Sequence, residues 1–174
     1  MSLSGAVRDL MVELDKFPHV KGNASLREVF AKLHAASGSS ELFRNILVLD
    51  DKDRLLGTLG LKNALHALLP DYLRHGSTHY QGTSNDVSAL AVLWQEDCEE
   101  QCKEAHRILA KDHVAPIAAT IGADEPITKA AFLFATTPVN VLPVVAGKQV
   151  IGVIRLVDVF DEVVIEVLSE RCVA

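Results

Sequence analysis

Two charged side chains near the end of the chain stand where a predicted strand passes into a helix, and they could bind a ligand or only pair with each other. The segment GVIRLVD, residues 152–158, places Arg155 at the end of an apolar run and Asp158 three residues later. A guanidinium donates two parallel hydrogen bonds to phosphate oxygens, and an ionised carboxylate accepts strong hydrogen bonds from hydroxyl groups. The alternative is that the two residues pair with each other or are solvated, and an exposed pair contributes only ~0–1 kcal/mol. The residues alone leave both interpretations open.

A second group of reactive side chains does not predict a metal site. Cys98, Cys102 and His106 follow one another at intervals of four residues in a helical pattern. Because a helix rises about 1.5 Å per residue, the outer two lie about 12 Å apart. That separation excludes a shared ion, whose bonds to its ligands are about 2.0–2.3 Å long. We expect both cysteines to pack in the core with Trp94.

No catalytic motif is present in the sequence. It lacks the nucleophile elbow G-x-S-x-G, the P-loop and the H-E-x-x-H zinc motif. The seven histidines are scattered, and His75 and His79 fall in a polar loop where we expect them to be solvated. We therefore expect a protein that is not an enzyme, with no catalytic residues and no bound metal.

Composition narrows the classes of partner. The 174 residues are 49% hydrophobic and 23% charged, which is typical of a globular protein. A net charge of -6 disfavours broad contact with nucleic acid or an anionic membrane, because both need a basic surface. The chain has neither an apolar run of about 20 residues nor an N-terminal secretory pattern. Three cysteines without framework spacing indicate reduced thiols, so we expect a cytoplasmic protein.

The elements that must position Arg155 and Asp158 occur twice in the chain. Gly57 aligns with Gly152, and Asn63 with Asp158, at the same offset of 95 residues. Each copy is predicted to contain an amphipathic helix, two strands joined by a polar turn, and a closing helix. The predicted ranges are 23–33, 46–50, 55–60 and 61–69 in the first copy, and 124–134, 141–145, 150–155 and 156–168 in the second.

Finer features of these elements are also predicted. Asn23 and Asp124 are expected to cap the first helix of each copy, with Pro126 near the first helical position. In the last helix, the apolar stripe expected to face the core consists of residues 156, 160, 163, 164 and 167. Between the copies we expect a polar loop over 70–86 and a linker helix over 87–111.

The repeated pattern resembles a tandem pair of CBS domains, also named a Bateman module. The resemblance rests on LPVV before a turn, on G-h-h-x-x-x-D in GVIRLVD (h is apolar), and on the echo GTLGLKN in the first copy. It implies an α+β (α/β) fold of two β-α-β-β-α repeats packed sheet to sheet about a pseudo-twofold axis. We assign the first repeat to residues 10–69, the loop and linker helix to 70–111, and the second repeat to 112–170.

The resemblance also implies a ligand, because clefts between paired CBS repeats often bind AMP, ADP, ATP or S-adenosylmethionine. In the family motif G-h-h-T/S-x-x-D, the Asp accepts from the ribose and the Thr or Ser contacts phosphate. By that resemblance Asp158 would bind ribose, while Arg155 stands at the Thr/Ser position and would bind phosphate. The expected adenine pocket comprises Pro143 and Val144 with the segment from Ile117 to Thr120.

The first copy departs further from the motif. Gly60 occupies its Thr/Ser position and Asn63 replaces the Asp, so the site expected around Asn63, Val20 and Lys21 is the weaker one. The resulting expectation is a stand-alone regulatory module that binds an adenosine nucleotide, requires no cofactor, forms a homodimer and signals to an effector protein that the sequence does not identify. The alternatives are a ligand-free dimerisation or adaptor module whose sites have decayed, and a module that binds some other anion through Arg155.

Overall fold

The computed structural model describes residues 5–37, 43–74, 94–95 and 97–169. Within these ranges two sheets are flanked by helices. The predictions for His75, His79 and most of the loop and linker over 75–93 lie outside the described residues. The strands are β1 Val12–Glu13, β2 His19–Lys21, β3 Asn45–Leu49, β4 Leu55–Gly60, β5 Ile121–Gly122, β6 Val141–Ala146 and β7 Gln149–Arg155. The α-helices are α1 Leu26–Ser37, α2 Leu61–Ala67, α3 Asp71–Arg74, α4 97–104, α5 Ile127–Thr136 and α6 Leu156–Leu168.

The first sheet has the order β2-β3-β4, with β2 parallel and β4 antiparallel to β3. Side chains alternate between its two faces because successive residues of a strand point in opposite directions. Ile46 and Val48 pack against α1 and α2, whereas Leu47 and Leu49 face the second sheet. A strand that is buried on both faces explains why the sequence there is a continuous apolar run rather than an alternating one.

The second sheet has the order β1-β7-β6-β5 and repeats this design. Leu142 and Val144 of β6 pack with the helices of the second repeat. Val141, Val150 and Val153 instead join Leu47 and Leu49 in a cluster between the two sheets. This cluster confirms the predicted packing of one repeat on the other through their sheets.

The two repeats exchange their leading segments. Strand β1 precedes β2, β3 and β4 in the first repeat but pairs with β7 of the second, and Ala115 makes the reciprocal bridge to Thr58 of β4. Both crossings need a glycine. A Cβ at Gly152 would lie 2.5 Å from the Val12 carbonyl oxygen, and one at Gly57 would lie 2.5 Å from that of Ala115. The repeated glycine therefore permits close backbone approach of the exchanged segment.

Strand and helix positions agree with the sequence predictions to within one to three residues at most ends, but the predicted cap of α1 was wrong. The cap is Ser25 rather than Asn23, with a reciprocal capping box in which the Ser25 N–H donates to Glu28 Oε2 at 2.7 Å. Pro126 is the residue preceding α5, and Asp124 instead pairs with Arg8.

The predicted core stripe of α6 was also wrong. Val159 is the fully buried residue of this helix, whereas Leu156, Phe160 and Val167 are exposed. The apolar residues of LVDVFDEVVIEVL form one wide stripe, and the core covers only the edge of that stripe at Val159, with Val163 and Val164 partly buried. The linker helix is likewise shorter than predicted, since α4 ends at residue 104, and Cys102 is exposed rather than in the core.

Candidate functional site

The junction between β7 and α6 places Arg155 and Asp158 at one end of the strands of the second sheet. Antiparallel pairing sets Arg155 opposite Val141, and the Leu156 N–H donates to the Asn140 carbonyl at 2.9 Å. Arg155 precedes the helix in an extended conformation (φ -106°, ψ 146°). Asp158 therefore stands in the first helical turn, where a carboxylate is stabilised by the positive end of the helix dipole.

Arg155 and Asp158 form a bidentate ion pair. Arg155 Nε donates to Asp158 Oδ2 and Nη2 donates to Oδ1, both at 2.6 Å. Each side chain is only 18% exposed. Paired, short and partly desolvated hydrogen bonds of this kind belong to the stronger class, so the pair is more than a solvated surface contact.

An aromatic side chain from the first repeat completes the surroundings of Arg155. The guanidinium carbon lies 5.3 Å from the centroid of the Phe43 ring, within the range of a cation–π contact. Phe43 in turn makes an edge-to-face contact with Phe17 at 5.1 Å between centroids. Both rings are buried in the cluster between the sheets, so the position of Arg155 is tied to the packing of the repeats.

These residues line a cleft of about 760 Å³ between the two repeats. The first repeat contributes Phe17 and residues 43–45, and the second contributes residues 140–141 and 155–158 with Phe160 and Asp161. A cleft of this size, mostly apolar with a few charged groups, is typical of small-molecule sites. Among the described residues no group of three or more His, Cys, Asp or Glu side chains is arranged to hold a metal ion.

The residues predicted to enclose adenine lie outside the lining of this cleft. Pro143 and Val144 are buried in the middle of β6, with Val144 in the core of the second repeat. Ile117 and Thr120 are exposed and precede β5, which runs parallel to β6. Parallel pairing places that segment at the same end of the strands as Arg155, but it does not line the cavity.

The residues predicted for the first site are not brought together. Lys21 pairs in register with Leu49, and its ammonium group binds the hairpin turn through Asp53 Oδ1 at 2.7 Å. Gly60 and Asn63 lie at the opposite end of β3, where Gly60 pairs with Asn45. Four residues of strand correspond to about 13 Å. Val20, beside Lys21, is buried in the core of the first repeat.

At the junction between β4 and α2 in the first repeat, the groups that could bind a ligand are engaged by neighbouring residues. The Gly60 N–H donates to Asn63 Oδ1 at 3.4 Å, so the amide that replaces the motif Asp acts as a helix cap. A Cβ at Gly60 would lie 2.7 Å from Asn45 Oδ1. The Asn45 side chain thus occupies the space that a Thr or Ser at this position would need.

Sequence reasoning missed the aromatic residues of the cleft. Phe17 precedes β2 and Phe43 precedes β3, both at the end of the sheet that faces the β7–α6 junction. The signal was available, because FPHV and FRNI each place a Phe two residues before a strand of the first copy. Arg155, which contacts Phe43, comes from the other repeat, and only the packing of the two sheets brings the two residues together.

Comparison with known proteins identifies the repeat. The family model described as CBS domain matches residues 7–70 and 108–165, which is more than half of the chain. No curated protein sequence shows significant similarity to the chain.

Solved structures share the fold at low sequence identity. CBSX2 in complex with AMP is 20% identical with a TM-score of 0.62, covering 92% of this chain and 97% of that one. A second similar structure is that of the CBS-pair protein CBSX2 from Arabidopsis thaliana. A CBS domain-containing protein of unknown function from Kribbella flavida is 18% identical with a TM-score of 0.66, covering 92% and 98%. The cytosolic domain of the Mg2+ channel MgtE in complex with ATP is 21% identical with a TM-score of 0.58, covering 87% of this chain and 46% of that one.

The family match, the two helix–strand–strand–helix repeats and their sheet-to-sheet packing agree with one another, and the chain belongs to the CBS domain family as a tandem CBS pair.

Proposed function

We propose that this CBS pair is a non-catalytic regulatory module that binds an adenosine nucleotide (AMP, ADP or ATP) and signals to a partner protein. The observation that carries the proposal is the cleft between the repeats, where a carboxylate, a guanidinium and aromatic walls converge. Asp158 is assigned to the ribose hydroxyls and Arg155 to a phosphate. Phe17, Phe43 and Phe160 supply the apolar contact area that a purine requires.

The related structures support the ligand class. One solved relative of similar fold holds AMP and another holds ATP. Arg44, an exposed residue, lines the same cleft from the first repeat and supplies a second positive charge. Asp158 and Asp161 also line the cleft, so the two positive and two negative side chains among its described residues balance. We assign the attraction of an anionic ligand to the guanidinium groups of Arg44 and Arg155 rather than to net charge.

A ligand-free dimerisation or adaptor module is the second candidate, and two observations favour it. Arg155 and Asp158 already satisfy each other through two hydrogen bonds. At the first junction, Asn63 is engaged as a cap and Asn45 fills the space of the missing hydroxyl residue. In this alternative the junctions are structural and no adenosine compound binds.

Under either candidate we propose a homodimer formed through the exposed apolar faces of α2 and α6. Leu61 and Leu65 of α2 are 44% and 54% exposed, and Leu156 and Phe160 stand at the same positions of α6 at 37% and 59%. Each pair is spaced by four residues and so lies on one side of its helix. Because the two pairs are related by the repeat, a second copy could match them across a twofold axis, as an isologous interface requires.

A thermal-shift panel of AMP, ADP, ATP, S-adenosylmethionine and NADH distinguishes the two candidates. A ligand at 100 times its Kd stabilises the native state by about 2.7 kcal/mol. At roughly 2–4 °C per kcal/mol for a chain of this length, Tm rises by about 5–11 °C. Asp158→Ala should lose at least about half of the rise at the same ligand concentration, because a tenfold weaker Kd lowers the stabilisation to about 1.4 kcal/mol. Asp51→Ala, which removes an exposed carboxylate from the hairpin turn between β3 and β4, should preserve it. No rise with any compound supports the adaptor.

A further inference from the structure

Arg155 and Asp158 bind each other in the cleft, so a ligand that binds either residue must first displace the other. Both guanidinium-to-carboxylate hydrogen bonds are 2.6 Å long, and together they engage both oxygens of Asp158. A carboxylate offers about four acceptor positions, so the pair occupies half of them and neutralises the charge. A ribose diol that approaches Asp158 in this state would meet a weaker acceptor than a free carboxylate.

A phosphate changes this balance. The guanidinium fork fits phosphate oxygens as well as it fits a carboxylate, so a phosphate can replace Asp158 as the partner of Arg155. Phe43 holds the guanidinium from the other side, with its centroid 5.3 Å from the guanidinium carbon. This contact keeps Arg155 in the cleft while its anionic partner is exchanged. Asp158 is then released to accept hydrogen bonds from the diol.

We infer that Arg155 determines specificity by this exchange: the cleft selects ligands that carry both a phosphate and a vicinal diol, and Arg155 weakens the binding of ligands that carry the diol alone. The inference rests on the proposed nucleotide-binding function. It goes further in stating that removal of a positive charge strengthens the binding of an uncharged nucleoside. A simple phosphate contact would leave nucleoside affinity unchanged.

Isothermal titration of adenosine and AMP tests this in the full chain with Arg155→Thr and Arg155→Gln. Wild type should bind AMP at least about tenfold more tightly than adenosine, which corresponds to about 1.4 kcal/mol. Both variants should bind adenosine about tenfold more tightly than wild type does and should lose most of the preference for AMP. Two variants are used so that a folding defect in one, detected by its melting curve, leaves the other informative.

The matched control is Arg54→Thr. Arg54 pairs with Asp50 through an Nε–Oδ2 bond of 2.6 Å, but this pair lies at the β3–β4 hairpin, outside the cleft. Its loss should leave both affinities unchanged. If wild type binds AMP tightly and both Arg155 variants bind adenosine no better than wild type does, the inference is wrong and the proposed function still stands. Failure of every variant and of wild type to bind either compound overturns the inference and the proposed function together.

Discussion

Replacing Gly152 by Ala should displace the exchanged segment from the second repeat and destabilise the fold. The new Cβ would lie 2.5 Å from the Val12 carbonyl oxygen and 3.3 Å from its carbonyl carbon. Ordinary carbon–oxygen contacts are about 3.3–3.6 Å, so β1 must move by about 1 Å. β1 is two residues long and is held by the adjacent 3.1 Å Leu14–Ile151 hydrogen bond and by packing of Val12 and Leu14 against the cluster between the sheets, so its displacement strains these contacts.

The expected cost follows from overpacking, which typically destabilises by about 1–3 kcal/mol. Taking about 2 kcal/mol and about 2–4 °C per kcal/mol, Tm should fall by about 4–8 °C. Gly57→Ala should behave similarly, because its Cβ would lie 2.5 Å from the Ala115 carbonyl oxygen and 2.8 Å from Val114 Cβ.

Differential scanning calorimetry without ligand measures these changes. Gly122→Ala is the matched control, because its nearest contact is the movable Glu125 side chain at 3.2 Å. We expect that variant to remain within about 2 °C of wild type. If Gly152→Ala and Gly57→Ala melt together with Gly122→Ala, close approach is not the reason for the repeated glycine.

Three further predictions concern the surface and the caps. Ser25→Ala should lower the free energy of unfolding by about 1 kcal/mol in urea denaturation, because it removes the capping hydroxyl of α1, and an unchanged midpoint would contradict the capping role. Phe160→Ser should convert the proposed dimer to a monomer, measured by light scattering after size exclusion. The control is Phe132→Ser on α5, which removes a similarly exposed ring and should leave the dimer intact. A monomeric wild type refutes the interface. Burial, followed by the nearby Arg74 charge, lowers the pKa of His113. The folded state therefore favours the neutral imidazole more than the unfolded state does. The free energy of unfolding should decrease as pH falls below about 6.5, where the unfolded state binds a proton more readily. Urea denaturation between pH 7.5 and 5.5 should therefore show a smaller loss of stability in His113→Gln than in wild type, and equal losses would contradict this assignment.

The repeated elements were predictable because their signals are local. Apolar runs such as 55–60 and 150–155 are bounded by polar turns, and the observed strands β4 and β7 coincide with them to within one residue. The capping error at Asn23 was avoidable, because Ser25 and Glu28 carry the S-x-x-E signature.

The features that sequence reasoning missed depend on contacts between distant segments. Pairing of β1 with β7 joins residues about 140 positions apart and leaves no periodic trace near Val12. The cleft has the same origin, since Phe43 reaches Arg155 only after the sheets pack. In α6, Phe160 has the apolar character of a core residue, and its exposure follows from which side of the helix the sheet covers.

We propose that the cleft between the CBS repeats binds an adenosine nucleotide through Asp158. Isothermal titration of AMP into wild type and Asp158→Ala tests this most directly, with Asp51→Ala as the control for loss of a carboxylate elsewhere. We expect one AMP site per chain in wild type and in Asp51→Ala, and at least about a tenfold loss of affinity in Asp158→Ala. Equal AMP affinity in all three proteins, or no binding by any of them, would contradict it.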